Sequence, residues 1–201
     1  MASLPLLVAS FFLLNSVPQG QTTPAPGATC PPSGITRADL LKLKEQKFEI
    51  ASADERNAMA VRLLACRADP DPAIRDGVVF EGLSRWLRGK ALTPATILAL
   101  GDSLRETLAG ENDAAGFRLP FAALVLSEVS RADRIEPVFS DEVRQALVEL
   151  AATSLIRVND YRGFDAREGF RHGVAHGADL VLQLGVNPKV GADGIRRSWR
   201  R

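Results

Sequence analysis

Three stretches of the chain can be laid on top of one another: IRDGVVFEGLSRWL from Ile74, FRLPFAALVLSEVS from Phe117 and FRHGVAHGADLVLQ from Phe170. Each has an apolar residue, then arginine, one variable position, Gly or Pro, and another apolar residue. Their starts are about 43 and 53 residues apart, close to the period of a stacked helix pair. A unit that short cannot bury its apolar stripe alone, so the repeat demands neighbours stacked side by side. This restricts the fold more than any bulk property of the chain.

Helix starts are well marked around the repeat. Ser52 with Glu55 reads as a capping box ahead of RNAMAVRLLACRA. Asp71–Pro72 and Thr93–Pro94 each place an N-cap before proline at the first helical position. Ser140 precedes Asp141 and Glu142, acids suited to the positive end of a helix dipole. Asp165 with Glu168 reads as another box, after Gly163, whose expected positive φ would end the preceding helix. No segment alternates with period two, so strands are not needed. Seven helices are expected, at 36–48, 52–67, 72–88, 94–109, 116–131, 140–157 and 166–185. The fold class is therefore all-α, with antiparallel helix pairs stacked as a short α–α superhelix of the HEAT type. Such a stack leaves a concave face on which a protein or small-molecule ligand can bind.

Ahead of the helices, Leu4 to Leu14 is an apolar run too short to cross a bilayer, followed by small and polar residues. It reads as a signal peptide over 1–20, with no membrane span once it is removed, and it directs the chain to the periplasm or medium. A Pro/Thr-rich linker follows at 21–34, then the helical-repeat domain at 35–188 and a basic tail at 189–201. GATC before Cys30 lies too far from the apolar run for a lipid anchor. The chain has two cysteines, Cys30 and Cys66. In an exported chain they are expected to pair and to clip the linker to the body; the alternative is two unpaired thiols. With net charge +1, the chain lacks the electrostatic footprint of a nucleic-acid protein. RRSWRR at the end is a local exception that reads as surface or tail.

RDGVVFEGLSRWL, FAALVLSEVSRADR and above all DYRGFDAREGFRHGVAHGADLVLQL resemble an uncharacterised bacterial family, domain of unknown function 2785. The resemblance runs from about Thr36 to Asn187, and its most specific block is Asp160 to Asp179. It implies a helical-repeat fold and no assigned activity. Members of that family continue with helical sequence after the residues matching Asn187–Pro188, whereas here GADGIRRSWRR follows. The expectation is a final repeat without its second helix. A degraded copy without stable function is a further reading of that ending.

The chain's histidines, His172 and His176, stand one helical turn apart, with Asp179 a turn further on. On a wheel advancing about 100° per residue from Phe170, the residues Phe170, Val174 and Val181 group within about 40° as the core stripe. His172, His176, Asp179 and Gln183 fall opposite, as one polar ridge, and Gly173 and Gly177 leave room for a neighbouring backbone. Two histidines at i and i+4 with a carboxylate at i+7 could hold a metal ion, zinc above all. Against this, Gly173 stands where a zincin would carry its catalytic glutamate. The other readings are a ligand-binding surface or polar residues with structural partners. In DYRGFD, Arg162 could clamp an anionic ligand, or Asp160 and Arg162 could hold the loop as an ion pair. Trp86 and Tyr161 read as packing anchors as readily as ligand platforms, and Arg75 with Asp76 as a polar pair within the stack. There is no phosphate-binding loop, no G-x-S-x-G elbow and no activated cysteine. No catalytic residue is assigned and no cofactor is expected. The leading expectation is a binding or scaffold module without chemistry; the alternative is a metal-binding protein or metal-dependent enzyme using His172, His176 and Asp179.

Overall fold

The computed structural model describes residues 29–192 and Arg196. The expected signal peptide and most of the linker and tail lie outside those residues. Among the described residues there are seven helices: α1 (Arg37–Glu45), α2 (Ala53–Leu63), a composite α3, α4 (Pro94–Ala109), α5 (Arg118–Ile135), α6 (Asp141–Ile156) and α7 (Gly173–Gly185). Composite α3 runs through Pro72–Ile74, a π-helical stretch Arg75–Phe80, and Glu81–Arg88.

The caps explain the starts. Asp71 accepts the amide of Ala73 at 2.7 Å. Ser52, Thr93 and Ser140 each accept the amide three residues on at 3.3 Å. Thr36 and Asp39 form a reciprocal capping box that the sequence reading did not single out. α5 is capped from upstream: Asp113 Oδ1 accepts the amides of Phe117 and Arg118, and Asn112 accepts that of Leu119.

The helices form two layers. α1, α3, α5 and α7 lie side by side in one, and α2, α4 and α6 in the other. The layers lock chiefly through α4 on α5 and α6 on α7. Sequence-adjacent α5 and α6 thus fall in different layers without packing on each other as a hairpin. α5 is the central helix, buried at every position from Pro120 to Ser130. The repeated motif opens α3, precedes α5 and precedes α7, so its three copies stack in one layer. Close approach of helices uses glycine where expected: a Cβ on Gly177 would come within 2.8 Å of Leu155 Cδ1. Trp86 is a packing anchor, buried edge-on against Phe48 with its indole N–H donating to the Phe48 carbonyl at 2.9 Å.

Cys30 and Cys66 form a disulfide. It ties the end of the linker to the turn after α2, where Cys66 is fully buried. In the last turn of α5, buried Asp133 accepts the amides of Val138 and Phe139, two bonds from Arg144 and one from Asn187. That node fixes the α5–α6 loop and the Asn187–Pro188 turn together. No helix among the described residues is long and apolar enough to cross a membrane.

The largest departure from expectation lies between α6 and α7. The helix expected at 166–185 begins only at Gly173. Asp165 does act as a cap, accepting the amides of Arg167 and Glu168 at 2.8 and 2.9 Å. What it caps is a turn: Phe164–Asp165 and Gly169–Phe170 pair as a two-residue antiparallel hairpin. Gly169, at φ +75°, closes that turn in a conformation a side chain resists. Gly163 has no positive φ, and the preceding helix ends earlier, with Arg157 at its C-cap. A local hydrogen-bonding carboxylate serves turns and helix starts alike, which is why the two were confused.

Candidate functional site

The three motif copies meet at one edge of the stack, where α3, α5 and α7 begin. Arg75, with 0% exposure, lays its guanidinium over Phe117 at 4.0 Å and over Phe121 at 4.6 Å. Arg171 covers Phe117 as well, at 4.6 Å. Two motif arginines thus share the motif phenylalanine of the copy between them. Both also tie down backbone. Arg75 donates to the carbonyls of Asp69, Pro70 and Glu168 and to the Asp76 carboxylate. Arg171 donates to the Ala115 carbonyl at 2.8 Å and to Glu168 at 2.6 Å. A planar guanidinium with five donors suits this work, since it can stack and hydrogen-bond at once.

From this node a ladder of rings climbs to the surface. Phe117 meets Phe121 at 6.2 Å, Phe121 meets His176 at 5.0 Å, and His176 meets His172 at 5.6 Å. His172 lies flat on Phe170 at 4.1 Å, and Phe170 touches Phe164 at 4.8 Å. The first three rings are buried, while Phe170 and Phe164 are 45% and 66% exposed. Tyr161, nearby in sequence, is 76% exposed and holds its loop by donating to the Val158 carbonyl.

The expected polar ridge does not form. His172 stands before α7, not on it, with a left-handed backbone at φ +53°. His176 is buried, while Asp179 is exposed further along the helix. The buried stripe of α7 runs His176, Gly177, Leu180, Leu184. Phe170 and Val174, expected in the core, are about half exposed, and Val181 is only partly buried. The wheel failed because Phe170, taken to mark the direction of the core, is not helical, and the buried face of α7 is turned away from that direction. Among the described residues, no group of three His, Cys, Asp or Glu side chains is placed to hold a metal ion.

Burial sets the electrostatics. The His176 imidazole is pushed down to about 4, chiefly by desolvation and then by His172, against a backbone hydrogen bond with Pro120. Its Nδ1 has no hydrogen-bond partner. Asp76, beside Arg75 on the π-helical stretch, has its carboxyl raised by burial, although Arg75 pulls the other way.

Asp160 and Arg162 are brought together. Arg162 Nε donates to Asp160 at 2.9 Å, and a further bond reaches the Ala115 carbonyl at 3.2 Å. Hydrogen bonds from Arg162 hold the Asp160 carboxyl below its ordinary range. On the other flank of α7, a pocket of about 60 Å³ lies between Pro120, Ala123, Leu155, Gly173 and Gly177, with Asp160 at its rim. The sequence reading missed Phe121, Phe164 and the Glu168 carbonyl as members of this edge. Phe164 and Phe170 carried a usable signal, as two aromatics flanking the polar, glycine-closed DAREG.

A two-layer stack whose motif copies meet at one edge defines an α-helical repeat protein. Residues 104–197 match the family model described as "Protein of unknown function (DUF2785)", the family that the sequence resembles. The match takes in α5, α6, the hairpin and α7 together with the end of α4. It leaves out α1 to α3, which the resemblance was expected to include. No curated protein and no solved structure matches the chain.

Proposed function

We propose that this protein is an exported helical-repeat module that binds a protein or small-molecule partner and carries no chemistry of its own. The edge where α3, α5 and α7 begin is its binding face. One observation carries the reading: Tyr161, Phe164 and Phe170 are 76%, 66% and 45% exposed on a segment held by buried arginines. Aromatic side chains presented on a fixed backbone are the usual anchors of an interface, because little side-chain freedom remains to be lost on binding. The sequence reading placed the partner on a concave helical face; the exposed aromatics favour this edge. Export, to the periplasm or the medium, is supported by the apolar run Leu4–Leu14 and by the Cys30–Cys66 disulfide, a bond suited to an oxidising compartment.

The test places a photo-crosslinking residue at Phe164 and, as a control in the other layer, at Leu98. An adduct in the exported fraction specific to position 164, and lost when Phe170→Ser is added, is the expected result. Equal adducts at both positions, or none at 164, would displace the reading. So would turnover of a hydrolase substrate that disappears on His172→Ala.

A further inference from the structure

The ladder has a weak rung. His176 is 7% exposed, and its Nδ1 faces no donor or acceptor. Charged and titratable groups come from the elements packed around it. α3 contributes Arg75 and Asp76, and the segment before α7 contributes Arg171, His172 and Glu168. Both of these acids are already engaged, Asp76 with Arg75 at 2.8 Å and Glu168 with Arg171 at 2.6 Å. From α5 come the Phe121 ring and the Pro120 backbone, neither able to take up a positive charge as a carboxylate would. Asp160 pairs with Arg162 in the loop behind Gly173, and Asp179 of α7 itself is exposed. Of these four acids, three are paired elsewhere and the fourth faces solvent, so none of them pairs with a proton on this imidazole.

The same groups hold the hairpin down. Arg75 Nη2 bonds both the Asp76 carboxylate and the Glu168 carbonyl, at 2.8 and 2.7 Å. His172 keeps a left-handed backbone, unfavourable for a residue with a Cβ, while its ring is pinned between Phe170 and His176. In the structure the segment is docked through these contacts.

We infer that the segment from Phe164 to His172 is an acid-released latch: protonation of His176 lifts it off Phe117 and Arg75 and uncovers the Phe117–Phe121 face, while the other helices stay folded. The added proton goes to Nδ1, since the other ring nitrogen is left for the Pro120 carbonyl, and it creates an imidazolium close to Arg75 and His172. Acid also neutralises Asp76, whose carboxyl burial holds above its usual range. The cluster then gains positive charge twice over and loses the anion that oriented Arg75. Undocking returns these groups to water and relieves the backbone at His172. The inference stands whatever the edge binds.

Hydrogen exchange followed by mass spectrometry tests it, comparing peptides from residues 160–176 with peptides from α4 at neutral pH and at about pH 4.5, inside the window where a depressed imidazole titrates. After correction for intrinsic exchange, protection of 160–176 should fall roughly tenfold or more further in acid than that of α4. His176→Phe, which keeps the ring and removes the proton site, should hold the segment closed. Unchanged protection in acid, equal loss in both regions, or the same opening in His176→Phe would overturn the latch. Should that variant not fold, an imidazole NMR titration of the wild type decides. Backbone amide signals of 164–172 that shift together with His176 protonation while those of α4 hold uphold the inference, and signals of 164–172 that stay put through that titration overturn it.

Discussion

The guanidinium of Arg75 lies 4.0 Å above the ring of Phe117, joining the first copy of the repeated motif to the second. It also reaches the Glu168 carbonyl beside the third copy, at 2.7 Å. One buried side chain therefore touches all three units. Arg75→Ala would leave the carbonyls of Asp69, Pro70 and Glu168 without donors and open a void beneath Phe117. The expected cost is about 3–5 kcal/mol, as for removing one member of a buried charged network. Arg75→Lys should recover little, because an ammonium cannot stack on two rings and reach four acceptors. Urea denaturation of the three proteins checks both statements.

Reduction should weaken the fold at its other end. The Cys30–Cys66 bridge spans a sequence separation of 36 residues. Chain-entropy arguments give a loop of that size about 4 kcal/mol. The double variant Cys30→Ser/Cys66→Ser should show a clearly lower urea midpoint than the oxidised wild type, and adding reductant to the variant should change nothing further.

Gly116 should not tolerate a side chain. Its φ is +83°, and a Cβ there would collide with the Asp160 carboxylate and the Arg162 guanidinium. Gly116→Ala is expected to cost about 2 kcal/mol, from the left-handed backbone and from displacing that ion pair. Exchange protection of the 158–162 loop should fall more than that of α6. A neutral effect would mean the loop is not seated where the structure puts it.

Overall stability should decline in mild acid because of His176. Its folded-state pKa, about 4, lies below the 6.5 of a free imidazole. The unfolded chain therefore binds the proton more readily, and stability is lost as pH falls from about 6.5 to about 4. The full loss from this group is on the order of 3 kcal/mol. His176→Phe should flatten that part of a stability–pH curve measured in urea. Below that range Asp133 adds to the decline. Burial alone would raise its carboxyl, but the bonds from Arg144, Phe139 and Val138 outweigh this and lower it, so its contribution disappears only at lower pH.

Seven helices and their caps were legible in the sequence because caps and apolar spacing are local. Asp71–Pro72, Thr93–Pro94 and Ser140 announce helix starts through bonds that span three residues or fewer. The Cys30–Cys66 pairing was legible by elimination. The edge was not. Asp165 and Glu168 look the same ahead of a turn as ahead of a helix, and the difference is made by Arg75, far away in sequence, donating from its guanidinium fork to the Glu168 carbonyl. With the helix start misplaced, Phe170 was put in the core and His176 outside it, and each is where the other was expected. The shared arginine of the three motif copies was visible from the outset, but stacking of Arg75 and Arg171 on a single phenylalanine depends on which helices share a layer.

The bond from Arg75 to Glu168 joins residues separated by 93 positions. Stacked-repeat proteins are commonly able to lose or fray a terminal unit while the rest persists. Here that independence is curtailed: a nascent chain that has not yet delivered Glu168 and Phe170 holds a charged side chain with its last acceptor missing. The first and last units should therefore melt and refold in concert, and fragments ending ahead of the hairpin should be far less stable than their share of the apolar core would suggest.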